Sequence, residues 1–144
     1  LVALASSSAS AQTVKESLDI KRQAIATQRR VLVSGALPLT DAEAKAFWPL
    51  YDDYEKQRAE IDERMNRLVA DFVNGEGTFS DTQAKAMLNV ALKLDDDRLV
   101  ARREALGRIA KVLSPRKLMR FFQIESKLDA EVRVEISRQI PLAP

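Results

Sequence analysis

Apolar residues recur along most of this chain at alternating steps of three and four positions, the spacing of amphipathic helices. The clearest run has a single residue that is not apolar, Arg58, and passes through Phe47, Tyr51, Tyr54, Arg58, Ile61, Met65, Leu68 and Phe72. Residues at these steps share one helix face. The pattern therefore predicts a helix from about Asp41 to Val73 that packs against another long helix.

Two helix starts are marked by capping boxes, in which a hydroxyl and a side chain three residues later bind each other's backbone amides. Thr40 and Glu43 form one such pair, with Leu39 in the position of a hydrophobic staple. Ser80 and Gln83 form the second pair, with Phe79 before them. We therefore expect a third helix from about Asp81 to Leu113. Its apolar face carries leucines every seven residues, with a second row beside them: Leu92, Leu99, Leu106, Leu113; Met87, Leu94, Ala101.

The outer two helices are predicted from similar boundary residues. Thr13 with Glu16 marks a start near residue 13, and Gly35 with Pro38 marks an end at about Ser34. Ser114 followed by Pro115 is a cap with proline at the first helical position, and that helix continues until Pro141. The sequence thus predicts an all-α fold of four helices, with a long central antiparallel hairpin flanked by shorter helices. The segment 74–77, Asn-Gly-Glu-Gly, is the turn of that hairpin.

Pro49 lies inside the second predicted helix, where a kink or break is expected. Four aromatic residues, Phe47, Trp48, Tyr51 and Tyr54, cluster around it. They have two interpretations: one packed end of the core, or an exposed aromatic patch that contacts a partner.

A basic sector on the first helix consists of Lys21, Arg22, Arg29 and Arg30. It is either a solvated face, with charges that suit a helix C-terminus, or a surface for an acidic partner.

Composition excludes several kinds of chemistry. The chain of 144 residues contains no cysteine and no histidine, so it has no disulfide, zinc–thiolate site, or Ser-His or Cys-His catalytic pair. The net charge of +2 gives little reason to expect nucleic-acid binding. Three consecutive acids at 95–97 point about 100° apart on a helix and cannot converge on a metal. We expect no enzyme activity, cofactor or metal site, because no spacing assembles the remaining Lys, Ser, Asp and Glu into a site.

Residues 1–11 are uncharged and end in Ala-Ser-Ala, the pattern that precedes a signal-peptidase cleavage site. The alternative is a flexible Ala/Ser-rich terminus. The first interpretation makes 1–11 a signal-peptide remnant cleaved before Gln12, and 12–144 a single domain outside the cytoplasm. No other stretch has the ~20 apolar residues of a membrane span.

The two segments Leu39-Thr40-Asp41-Ala42-Glu43 and Phe79-Ser80-Asp81-Thr82-Gln83 resemble the paired LTxxQ motifs of the Spy/CpxP family. Glu43 stands where the first motif has Gln, and Phe79 and Ser80 stand where the second has Leu and Thr. That family consists of periplasmic all-α proteins with four helices that form antiparallel, cradle-shaped dimers. The resemblance implies ATP-independent chaperoning, or binding to an envelope-stress sensor as an adaptor.

Two functional hypotheses follow. The first is a periplasmic chaperone-like protein, active as a homodimer, that binds unfolded or misfolded clients in envelope stress. The candidate surface for a client or partner combines aromatic residues with arginines: Phe47, Trp48, Tyr51, Arg58, Arg98 and Arg102. The alternative is a non-enzymatic regulatory module that binds one folded envelope protein. Neither hypothesis involves nucleic acid or membrane insertion.

Overall fold

A computed structural model describes residues 5–75, 78–138 and 140–143, and it contains four α-helices in this part of the chain. They are α1 (Ala5–Ala36), α2 (Asp41–Asn74), α3 (Asp81–Ile109) and α4 (Pro115–Ser137). The predicted all-α, four-helix architecture is confirmed. At 34 residues, α2 is about 51 Å long by the rise of an α-helix.

The pairs α2–α3 and α3–α4 form two successive hairpins, and α1 packs beside them. The second and third helices contact each other along much of their length, and α1 packs against α2. The fourth helix folds back on α3 and also contacts α1. The core lies where all four helices meet, and its largest fully buried apolar side chains are Phe47, Tyr51, Tyr54, Phe121, Leu37, Leu94, Ile109 and Val33.

Local capping residues set three of the helix starts as predicted. Thr40 and Ser80 each form a complete capping box, with Glu43 and Gln83 respectively. Ser114 accepts a hydrogen bond from the backbone N–H of Lys117, and proline occupies the first turn of α4. These bonds satisfy amide donors that a helix start would otherwise leave unpaired.

Several predicted boundaries were wrong. The first helix begins at Ala5 and not at Thr13, since the preceding alanines and serines continue the helix without a break. It also runs through Gly35 to Ala36. The third helix ends at Ile109, four residues before Leu113, and the fourth ends at Ser137. Residues 1–4 lie outside the described part of the chain, and cleavage before Gln12 stays a prediction.

Pro49 does not interrupt α2, which is helical on both sides of it. A proline in this position removes one amide donor and crowds the preceding turn. The flanking turns are held by buried aromatic side chains, Phe47 on one side and Tyr51 on the other. Tertiary packing therefore keeps the helix continuous through a residue that would disrupt an isolated helix.

The turn between α2 and α3 leaves no room for a side chain at Gly75 while the Phe79 ring keeps its position. The Phe79 ring stacks on Phe72 with ring centroids 5.2 Å apart, and this brings Phe79 against the backbone of the turn. A Cβ atom at Gly75 would overlap the Phe79 ring at Cε1. Residues 76 and 77, the rest of the predicted turn, lie outside the described residues.

Candidate functional site

The most unusual feature of the interior is a group of six charged side chains contributed by all four helices. We name it the charge cluster: Arg29 of α1, Glu55 and Arg58 of α2, Arg102 of α3, and Glu125 and Asp129 of α4. Arg29 is 1% exposed and Glu125 is 2% exposed. Charges so deeply buried are tolerated only when they are paired and hydrogen-bonded.

Two arginines in the charge cluster share the same carboxylates. Nη2 of Arg29 donates to Oε2 of Glu125 at 2.7 Å and to Oδ1 of Asp129 at 2.8 Å. Arg58 donates from Nη2 to the same Oδ1 of Asp129 at 3.0 Å and from Nη1 to Glu55 at 2.7 Å. Arg102 forms an ion pair with the other oxygen of Asp129. Asp129 therefore joins α4 to each of the other three helices.

Burial and charge shift the protonation of these groups in opposite directions. Burial raises the pKa of Glu55, although Arg58 and Arg29 oppose the shift. For Arg58, burial alone would lower the pKa, but the carboxylates of Glu55 and Glu125 raise it above its ordinary value. Arg58 therefore stays charged at neutral pH.

Two aromatic hydroxyls lie in the same interior. Burial raises the pKa of Tyr51 and that of Tyr54, so both stay neutral. The hydroxyl of Tyr51 has no hydrogen-bond partner among the described residues. The ion pairs of the charge cluster join the four helices.

The predicted client surface is largely internal. Phe47 and Tyr51 are 0% and 1% exposed, and Phe47 packs edge-on against Phe121 with ring centroids 5.3 Å apart. For these two residues the first interpretation, a packed end of the core, is therefore the correct one. Arg58 is also buried, as part of the charge cluster. Trp48 is half-buried, and the guanidinium of Arg30 lies 4.5 Å above the centre of its ring.

The other two predicted surface arginines are partly buried and paired within the chain. Nη2 of Arg98 donates to Asp62 of α2 at 2.7 Å. Arg102 binds Asp129 and also lies 5.9 Å from the ring centre of Phe122. Because both arginines hold neighbouring helices together, reversing their charge would destabilise the fold as well as alter the surface.

The motif residues act in helix capping and packing. Leu39 is half-buried against the core, and Phe79 stacks on Phe72. The side chain of Glu43 also accepts a bond from Lys117 Nζ at 2.6 Å, which ties the start of α2 to the start of α4. This bond, with the backbone N–H of Thr40, lowers the pKa of Glu43.

The basic sector of α1 is divided by the fold. Arg29 is in the charge cluster, Arg30 forms an ion pair with Asp52, and Lys21 lies 3.8 Å from a carboxylate oxygen of Glu135. The side chain of Arg22 lies outside what the structure describes. The three described members of the sector are thus paired with acids of the same chain, which leaves little of it as a basic surface.

Sequence reasoning missed a row of exposed leucines on α3. Leu88, Leu92 and Leu99 are 58%, 56% and 48% exposed, and we name them the leucine stripe. Their spacings of four and seven residues place them on one helix face. The seven-residue leucine pattern was visible in the sequence, but it predicted a buried face. In the structure the buried face of α3 includes Leu94, Ala101 and Ala105 and lies nearly opposite Leu92 and Leu99. Of the seven-residue leucine row, Leu106 packs against the core and Leu113 is buried.

No group of three or more His, Cys, Asp or Glu that could hold a metal ion occurs among the described residues. Within that same part of the chain, none of the helices is long and apolar enough to cross a membrane. No family model, curated protein or solved structure matches the chain.

Proposed function

We propose that this chain is an ATP-independent, chaperone-like protein of the bacterial envelope that binds unfolded or misfolded clients. The observation that supports this function is the leucine stripe. Unfolded chains expose apolar side chains, and an exposed apolar row on a rigid helix offers them a contact surface.

Two of the three leucines, Leu88 and Leu92, lie in the first half of α3. None of residues 81–93 is buried, so α2 covers only one side of this segment. Lys85, Asp96 and Arg103 are exposed on the same side of the helix as the leucine stripe. Charges of both signs beside the apolar row offer complementary contacts to client segments of either charge.

Location in the envelope is part of the proposal and rests on the signal-peptide pattern and the resemblance to the Spy/CpxP family. An antiparallel homodimer is also part of the proposal, and it rests on the resemblance to that family. A second copy could itself cover the leucine stripe, and the experiment must separate that role from client binding.

The test is light scattering of an aggregating, chemically denatured client protein, with and without the purified chain and without ATP. We expect suppression of scattering at near-stoichiometric amounts of the chain. A triple variant, Leu88→Ser with Leu92→Ser and Leu99→Ser, should lose most of the suppression while keeping its helix content. The matched control is Ile20→Ser with Val31→Ser, which removes exposed apolar residues from α1 and should leave suppression intact.

Sedimentation velocity on the same variants completes the test. If the triple variant changes from dimer to monomer and still suppresses aggregation, the leucine stripe is a dimer contact and clients bind elsewhere. If the folded wild-type chain does not suppress aggregation, the chaperone proposal fails. The regulatory module that binds one folded envelope protein would then be the hypothesis to pursue.

A further inference from the structure

A groove between α1 and α4 shares no residue with the leucine stripe. Its larger part, of about 430 Å³, has an apolar floor formed by Leu32, Ala36, Ile124 and Leu128. A second part of about 210 Å³ shares Leu32 and Leu128 with it and continues to Ile25. Leu32 is 49% exposed, whereas Ile124 and Leu128 pack against the core beside it. The groove therefore presents apolar side chains to solvent.

Three exposed cations follow one face of α4 along the edge of this groove, and we name them the α4 cations: Arg116, Arg120 and Lys127. Their spacings of four and seven residues place them on one helix face. Arg120 and Lys127 also line the groove itself. No carboxylate among the described residues pairs with any of the three, whereas Lys117 in the same part of the helix pairs with Glu43 at 2.6 Å. The α4 cations are thus available to an acidic group from outside the chain.

The position of these charges at the start of α4 is electrostatically unfavourable. The N-terminus of a helix carries a partial positive charge, which repels Arg116 and Arg120 in the first two turns. The first turn of α4 contains no acidic residue that could offset this repulsion. Arg120 donates from Nε to the backbone oxygen of Ala36 at 2.5 Å, and this bond supplies no counter-ion. A bound carboxylate would remove the repulsion.

The shape of the groove suits a helix. The pair Lys21–Glu135 and the bond from Arg120 to Ala36 show that α1 and α4 run in opposite directions along it. The groove spans positions 120 to 135 of α4, which is about 22 Å or four helical turns. A third helix fits there, because its ridge of side chains packs between the two helices. Glu131 and Glu135 line the end away from Arg120, so acids of the third helix are favoured at one end only.

We propose that the groove between α1 and α4 binds an acidic amphipathic helix of another protein. The apolar side chains of that helix contact Leu32, Ile124 and Leu128, and its carboxylates pair with the α4 cations. A nucleic-acid backbone would pair with the cations but leave the apolar floor uncovered. A lipid bilayer accommodates a protruding apolar face and not a concave one. The site is independent of the proposed chaperone function, because it shares no residue with the leucine stripe.

The first experiment compares two synthetic helical peptides by calorimetry and by amide chemical shifts of the full chain. Both have about 16 residues, enough for four turns, with leucines along one face. The acidic peptide carries glutamates beside the leucines in one half, and the basic peptide carries lysines there. The acidic peptide should bind with a Kd below about 100 μM, with shifts clustered around Leu32, Ile124 and Leu128. The basic peptide should bind at least about tenfold more weakly, and added salt should weaken binding of the acidic peptide.

Charge reversal tests the α4 cations. Arg116→Glu with Lys127→Glu should weaken binding of the acidic peptide by at least about tenfold and strengthen binding of the basic peptide. The matched control is Lys85→Glu with Arg103→Glu, which makes the same change in net charge at exposed positions of α3. The control should leave the Kd of the acidic peptide within about twofold of the wild-type value. Because all four side chains are exposed, both variants should fold.

A second pair of variants tests the apolar floor. Leu32→Ser removes an exposed side chain that lines both parts of the groove, and it should weaken binding of the acidic peptide by about tenfold. Val31→Ser is the matched control, because Val31 is 68% exposed and adjacent in the sequence but does not line the groove. Its affinity for the acidic peptide should equal that of the wild type.

Several outcomes would overturn the inference. Absence of acidic-peptide binding by a folded chain rejects the site, and equal affinity for the basic peptide rejects an acidic partner. Binding that is lost in the α3 control variant but kept in the α4 variant places the peptide on the α3 surface. A dimer in sedimentation velocity that Leu32→Ser converts to a monomer would show that a second copy fills the groove. Binding to phosphatidylglycerol vesicles without binding of the acidic peptide would assign the α4 cations to a membrane surface.

Discussion

The part of α3 before Leu94 and the part from Leu94 onward have different surroundings. From Leu94 onward one face of the helix is buried and includes Leu94, Ala101, Ala105 and Ile109, because α2 and α4 cover it, whereas Leu99 and Val100 on the other face are about half exposed. In its first half, Leu88 and Leu92 are more than half exposed. The difference shows that the helices packed against a given face at a given level, and not the helix sequence by itself, decide whether a leucine stabilises the fold or remains free to bind another chain.

The largest expected effect on stability is at the charge cluster, where all four helices meet. Glu125→Ala leaves Arg29 without its closest carboxylate in a site that is 1% exposed, and we expect the free energy of unfolding to fall by about 3–5 kcal/mol. Urea denaturation followed by circular dichroism measures this loss. The matched control is Glu63→Ala, since Glu63 pairs with Arg67 on the surface and its loss should cost less than about 1 kcal/mol. Similar losses in the two variants would show that the cluster is not a structural clamp.

The next effect compares two leucines two residues apart on α3. Leu94 is 0% exposed and Leu92 is 56% exposed. Leu94→Ala removes core contacts and should lower the free energy of unfolding by about 2–5 kcal/mol, whereas Leu92→Ala should change it by no more than about 0.5 kcal/mol. Thermal and urea unfolding of the two variants provide the measurement. A large loss in Leu92→Ala would mean that a further copy of the chain covers the leucine stripe in solution.

The smallest effect is a pH dependence at the start of α2. The bonds from Lys117 and Thr40 lower the pKa of Glu43 below its ordinary value of 4.5. A carboxyl with a lowered pKa stabilises the fold above its ordinary pKa, and this contribution is lost as the pH falls through the lowered value. Glu43→Gln keeps the capping box but not the ion pair. Its Tm should therefore be slightly below that of the wild type at neutral pH and equal to it in acid, and a constant difference across this range would contradict the assignment.

The helix starts were predictable because a cap involves residues within a few positions of each other. Thr40 and Glu43 need no tertiary information to bind each other's backbone amides. Arg29 is the opposite case, because Glu125 and Asp129 lie 96 and 100 positions away. From sequence alone it belonged to a basic sector of α1. Only the packing of α1 against α4 converts it from a surface charge into a buried one.

The leucine stripe illustrates a second limit. Two rows of apolar residues run along nearly opposite faces of α3, and the sequence alone does not show which row packs against α2. The buried row contains the small residues Ala101 and Ala105, which allow close approach of the helices, whereas the exposed row contains Leu92 and Leu99. Phe47 and Arg58 were predicted at the surface because of their aromatic and basic character. They lie in the interior, because the residues that they contact there come from helices distant in the sequence.

The distance along the chain between Arg29 and its carboxylates also bears on the order in which the molecule can fold. The α2–α3 hairpin joins neighbouring segments and can form early, since its loop is short. During synthesis from the N-terminus, α1 and α2 are complete before Glu125 and Asp129 exist. Until α4 docks, Arg29 and Arg58 remain hydrated, and the sites they later fill cannot close around them. Docking of α4 thus completes the interior in a single step. Before that step, Arg29 and Arg58 are solvated at positions that are buried in the folded protein.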